Sequence, residues 1–146
     1  MGGAFRCRVD PTAPAANRVT LILDSGGVSA LAGRRARLAE LRRRGEWPPQ
    51  VPAIVLTEAL TGDHRRDFHE NRLLAMCQIR DVSEDLARVG ARLRAAVARR
   101  GSIAATDAVV AALAITFSDA VVLTSDPRDL TALLAGEDVT VVRASP

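Results

Sequence analysis

A three-layer α/β fold with a central parallel sheet flanked by helices is predicted by three features of the sequence. Short β-branched apolar runs alternate with helix-period patterns, the order of βαβ units. The runs at 19–23 and 120–124 are almost wholly apolar, as strands covered on both faces are. Between them lies a helix-length segment, 104–117, so rich in Ala, Val and Leu that it must be buried against such a sheet. At 146 residues the chain has the length of one domain.

In chain order, residues 1–17 hold Gly2, Gly3, Pro11 and Pro14 without periodicity and read as an irregular leader, leaving 18–146 as the folded domain. The first strand, 19–23, stops at Asp24, Ser25, Gly26 and Gly27. A helix from about 34 to 44 follows, ended by Gly45 and the Pro48-Pro49 pair. A second strand is expected over 51–56, with Glu58 just past its end. Phe68, Leu73, Leu74 and Cys77 mark a helix between 67 and 77, and 78–82 reads as a short strand. Ser83 is a good N-cap for a helix whose Leu86, Val89, Leu93 and Val97 form an apolar stripe closed by Gly101. The buried helix at 104–117 carries Thr106 and Asp107 in its first turn. After the strand at 120–124, Asp126 is placed as an N-cap with Pro127 at the first helical position, where its missing N–H costs nothing. Leu130, Leu133 and Leu134 face inward, Gly136 ends that helix, and 139–142 supplies the last strand.

Composition excludes several mechanisms. All 20 positive side chains are Arg, and the chain has no Lys. A Walker-type phosphate loop, a Schiff-base enzyme, a phosphoreceiver domain and a dehalogenase-like phosphatase each need a Lys at a fixed place. The last two also place an Asp after the first strand, but Asp24 is followed by Ser25-Gly26 and not by a second acid. A net charge of +3, with clusters at Arg34-Arg35-Arg37, Arg42 to Arg44, Arg65-Arg66 and Arg99-Arg100, suits a polyanionic partner. Solvated helix faces explain such clusters equally well. No apolar run approaches the roughly 20 residues that span a bilayer, and the N-terminus lacks signal-peptide order. The chain is expected to be soluble and cytoplasmic, with no membrane contact. Cys7 and Cys77 lack metal-ligand spacing and read as free thiols, Cys77 as a small core residue.

Three carboxylates follow predicted strands: Asp24 after the first, Glu58 after the second and Asp126 after the run at 120–124. In open parallel sheets that edge is where ligands bind. Asp107 can project toward the same edge. Taken singly, Asp126 is a standard cap, Glu58 complements a helix dipole and Asp24 is a turn residue. Asp107 resists such a reading, because a lone charge within an Ala- and Val-rich helix is costly to bury unless paired or bound to metal. A cluster of carboxylates cannot stay ionised at neutral pH without a cation, and hard oxygen ligands select Mg²⁺ or Mn²⁺. Such a site can hydrolyse a phosphodiester with metal-activated water, and Thr106, Thr124 or Ser125 could orient that water or a phosphate oxygen.

The segment Leu21-Ile22-Leu23-Asp24-Ser25, with Leu31 after it, resembles the first motif of the PIN-domain family. Val51 to Glu58 resembles the second, Asp107 with Ala111 the third, and Leu123-Thr124-Ser125-Asp126 with Leu130 the fourth. Gly26-Gly27 stands where the family more often has a polar then an apolar residue. In size and layout the chain is most similar to VapC-type toxins, the Mg²⁺- or Mn²⁺-dependent endoribonucleases of toxin–antitoxin pairs. The resemblance implies that Asp24, Glu58, Asp107 and Asp126 are the catalytic, metal-binding quartet and that Thr124 is the hydroxyl of the fourth motif. It also implies an RNA substrate such as tRNA or another structured RNA, a cognate antitoxin and a homodimer, for which the helices after Asp67 and Ser83 offer surface. The alternative is a PIN-like domain that binds RNA or a protein without cutting, which predicts a missing acid. Trp47, with no Tyr in the chain, offers no stacking platform for bases, so RNA contact would depend on Arg and phosphate. His64 and His69 lack zinc spacing and are expected on the surface near the substrate entrance.

Overall fold

A computed structural model of the protein describes residues 18–97 and 102–145. The expected leader at 1–17, Cys7, Arg99, Arg100 and Gly101 lie outside them. Five strands form one sheet: β1 (Thr20–Leu23), β2 (Gln50–Pro52), β3 (Gln78–Arg80), β4 (Ala120–Thr124) and β5 (Val139–Arg143). All pairings are parallel, in the order β3-β2-β1-β4-β5. The connections carry α1 (Ser25–Leu31), α2 (Arg35–Arg43), the short α3 (Leu56–Ala59), α4 (Phe68–Leu74), α5 (Glu84–Ala96), α6 (Ala105–Ala114) and α7 (Pro127–Leu133). Right-handed crossovers put α1 to α4 on one face of the sheet and α5 to α7 on the other. Contacts agree, since α1 packs on α2, α3 and α4 while α5, α6 and α7 pack on one another. The predicted three-layer α/β architecture is therefore observed.

The central strands are covered on both sides, as their sequence requires. Ile22, Leu23 and Val122 are fully buried, and so are Val110, Ala111, Ala112 and Ala114 of α6. Each such aliphatic side chain larger than Ala contributes roughly 1.5–3 kcal/mol by leaving water. Ser83 caps α5 through the Leu86 N–H, at 3.1 Å, and Asp126 caps α7 with Pro127 at its start.

Two elements differ from expectation. Residues 25–31 form α1, although Gly26 and Gly27 read as a turn. Asp24 starts this helix by accepting the Gly27 N–H at 2.7 Å. The glycines are there for proximity: a Cβ on Gly27 would press into the Leu123 carbonyl oxygen, and one on Gly26 into the Ser125 side chain. The first turn of α1 thus lies directly against the end of β4. Second, β2 stops at Pro52, whose ring removes a ladder donor, and a 3₁₀ turn (Ala53–Val55) leads into α3. Glu58 therefore sits on a helix and not at a strand terminus. Elsewhere the differences are end effects: α6 stops at Ala114, α5 at Ala96, and β3 spans only three residues. Cys77 is half-buried against the core, and burial pushes its thiol up to about 11, so it stays protonated.

Helix propensity alone favours Ala over Gly by about 1 kcal/mol. Gly27→Ala should nevertheless destabilise the protein by about 1–3 kcal/mol, because the new methyl meets backbone that cannot yield. The expected result is a thermal midpoint lowered by several degrees. A midpoint equal to or above that of the parent would show that α1 does not rest on β4 as described.

Candidate functional site

The strand order runs outward from β1 to β2 and β3, then reverses to β4 and β5. The reversal leaves a crevice beyond the carboxyl ends of β1 and β4, the usual ligand position in such sheets. Asp24 follows β1 there and Asp126 follows β4. Register places Leu23 beside Leu123 and Thr124 beside Arg143. The neighbouring strand ends are joined by one hydrogen bond, in which the buried Thr124 Oγ1 donates to Asp24 Oδ2 at 2.5 Å. The same hydroxyl accepts the Asp126 N–H at 3.1 Å. In this arrangement Thr124 positions Asp24 and the turn into α7, so its hydroxyl is committed to the protein and not turned toward a ligand.

Asp24 is buried, with one oxygen on the Gly27 N–H and the other on Thr124. Burial pushes its pKa up and the nearby Glu58 adds to this, while the two hydrogen bonds pull it down. Glu58 is exposed on α3, which packs against α1, and its Oε2 accepts the Ser25 hydroxyl at 3.2 Å. Asp126 is exposed and accepts the Arg128 N–H at 3.3 Å. Its capping role therefore coexists with a place at the crevice.

Asp107 enters from the first turn of α6, which packs against β1, β2, β4 and α7. Its carboxyl is pushed up to about 6, first by burial and then by Asp24, Glu58, Asp129 and Asp126 in turn. The other three acids picked out by the sequence thus lie within electrostatic reach of Asp107. A fifth, Asp129, belongs with them although the motif reading passed over it. The available signal was its place in the first turn of α7, three residues after the cap.

The donor chemistry suits a hard divalent cation, since every acid at this edge offers carboxylate oxygen and, among the described residues, the charges that act on Asp107 are acidic ones that raise its pKa. Among the described residues, no three Asp, Glu, His or Cys side chains converge into a preformed ligand set. The fit therefore rests on the donor set and its mutual repulsion, which a cation would relieve by drawing the acids inward.

His69 is exposed, contacts the Phe68 ring edge-on, with centroids 5.2 Å apart, and lines a groove between α2 and α4. His64 is exposed in the loop after α3. Trp47 packs against the core beneath the Arg42 guanidinium, 4.5 Å from the ring centroid, and offers no open face. No described helix is long and apolar enough to cross a membrane.

The raised Asp107 carboxyl sets a sign for stability. Between about pH 4 and pH 6 the folded protein holds this proton more tightly than the unfolded chain, so metal-free stability falls as pH rises through that window. The full displacement corresponds to roughly 3 kcal/mol, and partial exposure reduces it to about 1 kcal/mol. Asp107→Asn should match the parent near pH 4 and melt about 2–4 °C higher at pH 7 in chelator. A mutant that melts lower at pH 7 would assign Asp107 a stabilising ion pair or cap instead.

No family model matches the chain, and no curated protein matches it in sequence. Solved structures do. DNA-bound VapBC from Salmonella typhimurium aligns with a TM-score of 0.61 at 19% identity, covering 84% of this chain and 98% of that one. VapBC2 from Rickettsia felis, bound to a promoter DNA fragment, gives 0.65 at 16% identity, with 87% and 100% covered. A toxin–antitoxin complex from Klebsiella pneumoniae gives 0.58 at 22%, with 86% and 98% covered. At such identities the likeness establishes the architecture: the chain has the PIN-like fold of its VapC-type neighbours.

Proposed function

We propose that the protein is a Mg²⁺- or Mn²⁺-dependent endoribonuclease, the toxin of a cytoplasmic toxin–antitoxin pair, which hydrolyses phosphodiester bonds of RNA. The observation that carries this reading is the convergence on Asp107, at the edge where the strand order reverses, of four other acids that add to the upward push of burial on its carboxyl. Asp24, Glu58, Asp107 and Asp126 would hold the ion. When bound, it supplies an activated water and offsets charge developing on the phosphate. The protein groups do the positioning. Thr124 fixes one oxygen of Asp24 while Gly27 fixes the other, and Ser25 steadies Glu58.

The neighbours' toxin–antitoxin assembly supports an antitoxin partner for this chain. The groove between α2 and α4 suits it: Leu38, Leu73, Met76 and the half-exposed Phe68 lie among Arg35 and Arg72. An apolar segment bearing acidic residues would seat there. A homodimer belongs to the same proposal, and light scattering that finds only monomer at micromolar concentration counts against it.

That no preformed ligand set stands among the described residues favours a second reading, a PIN-like RNA- or protein-binding domain without nuclease activity. Asp107→Asn separates the two. For the nuclease, the parent cleaves tRNA with Mn²⁺ and its thermal midpoint rises with the ion, while the variant loses both responses. A parent that neither cuts RNA nor gains stability from Mn²⁺ would establish the binding domain.

Thr124→Val tests the positioning of Asp24. Losing the hydroxyl removes the bond that lowers the Asp24 pKa, so that carboxyl should rise further. Cleavage at neutral pH should fall about tenfold or more and recover in part toward pH 9, with Thr124→Ser close to the parent. A loss that is the same at every pH would mean the hydroxyl acts otherwise than through Asp24.

A further inference from the structure

A second cleft of about 610 Å³ opens beside the acids, and its walls are chemically unlike them. Ser25, Ser29 and Ser125 supply hydroxyls, Glu58 borders it, and Arg34 and Arg143 supply positive charge. Both arginines are placed by the fold. Arg143 ends β5 in register with Thr124, and the next residue continues the ladder through the Ala144 N–H to the Thr124 carbonyl at 2.7 Å. Arg34 stands at the start of α2, after the helix that Asp24 caps. Both are exposed, and neither forms an ion pair with a carboxylate among the described residues. By contrast Arg43 and Arg44 hold Glu40, Arg66 holds Asp63 and Arg88 holds Glu84.

We infer that this cleft is a phosphate subsite for single-stranded RNA, in which Arg34 and Arg143 hold backbone phosphate next to the bond presented to the carboxylates. It rests on the nuclease reading for the identity of the polyanion. The chemistry follows from the lining: guanidinium groups pair with phosphate oxygens, the hydroxyls of Ser29 and Ser125 can donate to the same oxygens, and among the described residues no aromatic side chain lines the cleft to read a base. Contact is thus to the backbone and carries little sequence preference. The cleft borders Glu58, so a strand lying in it continues directly to the acids.

The test is fluorescence anisotropy of a labelled single-stranded RNA decamer with the full chain, in chelator, over a series of salt concentrations. Each backbone phosphate contact adds about 0.7 to the log–log salt slope. Arg34→Ala and Arg143→Ala should each weaken binding several-fold at low salt and lower the slope by about 0.7, and the double variant by about 1.4. Arg88→Ala, on α5, should bind as the parent does. Thermal midpoints check that the surface variants remain folded, and Arg143→Lys should recover part of the affinity. Unchanged affinity and slope in the double variant, or no RNA binding by the parent, overturns the inference. An acidic decapeptide that binds with the same dependence on both arginines, where RNA does not, assigns the cleft to a protein partner and overturns it too. The two readings fail separately: loss of cleavage in Asp107→Asn with unaltered RNA binding by the arginine variants leaves the nuclease and removes the subsite. Arginine-dependent RNA binding by a parent that never cuts RNA leaves the subsite and removes the nuclease.

Discussion

The rest of the site depends on the buried carboxylate of Asp24. One oxygen starts α1 through Gly27, and the other takes the hydroxyl of Thr124, separated from it by 100 residues in the chain. A buried carboxylate is costly unless its oxygens are satisfied, and here two elements satisfy it by coming to it. The consequence is geometric. The start of α1 must lie against the end of β4, which admits no side chain at Gly26 or Gly27. Cap, close approach and strand adjacency are therefore one constraint seen from three sides.

This constraint also leaves capping compatible with the ligand-binding role proposed for the same side chains. An ionised carboxylate has about four lone-pair positions, and each of Asp24 and Asp126 uses only part of that capacity on backbone or hydroxyl donors. The helix N-terminus favours negative charge, which helps keep such a group ionised despite burial. Asp107 receives less help, because burial and the acids near it both push its carboxyl up. It is the member whose charge the metal-free protein tolerates least. Stability is given up at one position so that charge can be concentrated there.

Much of this was legible in the sequence because the signals were local. All five strands, the Ser83 cap and the Asp126-Pro127 start of α7 follow from period and cap chemistry within a few residues. So does the expectation that α6 is buried. What escaped was tertiary in origin. Gly26-Gly27 reads as a turn until Leu123 and Ser125 are set against it, and only then does a two-glycine helix make sense. Glu58 looked like the residue after a strand because 51–56 is apolar throughout, but Pro52 ends the ladder and a helix begins. Asp129 carried no motif signal, and its effect on Asp107 depends on α6 and α7 packing together. The partner of Thr124 could not be read at all, since nothing local points across 100 residues to Asp24.

The distribution of arginine follows from the same electrostatics. An edge made of five acids attracts a divalent cation but repels a polyanion, so a phosphate chain needs positive charge placed beside the acids and not merely somewhere on the surface. Net charge alone does not supply this. Arg43, Arg44, Arg66 and Arg88 are neutralised within one helical turn or loop by acids three or four residues away. Arg42 lies over Trp47, and Arg94 bonds the Ile103 carbonyl. These side chains are engaged in local contacts within their own part of the fold. Arg34 and Arg143 differ because the fold, through the register of β5 with β4 and the short step from α1 to α2, sets them on the wall of a cleft that Glu58 shares. The positive charge beside the acids is therefore fixed by strand register at Arg143 and by the step from α1 to α2 at Arg34, a single member of the sequence's arginine clusters.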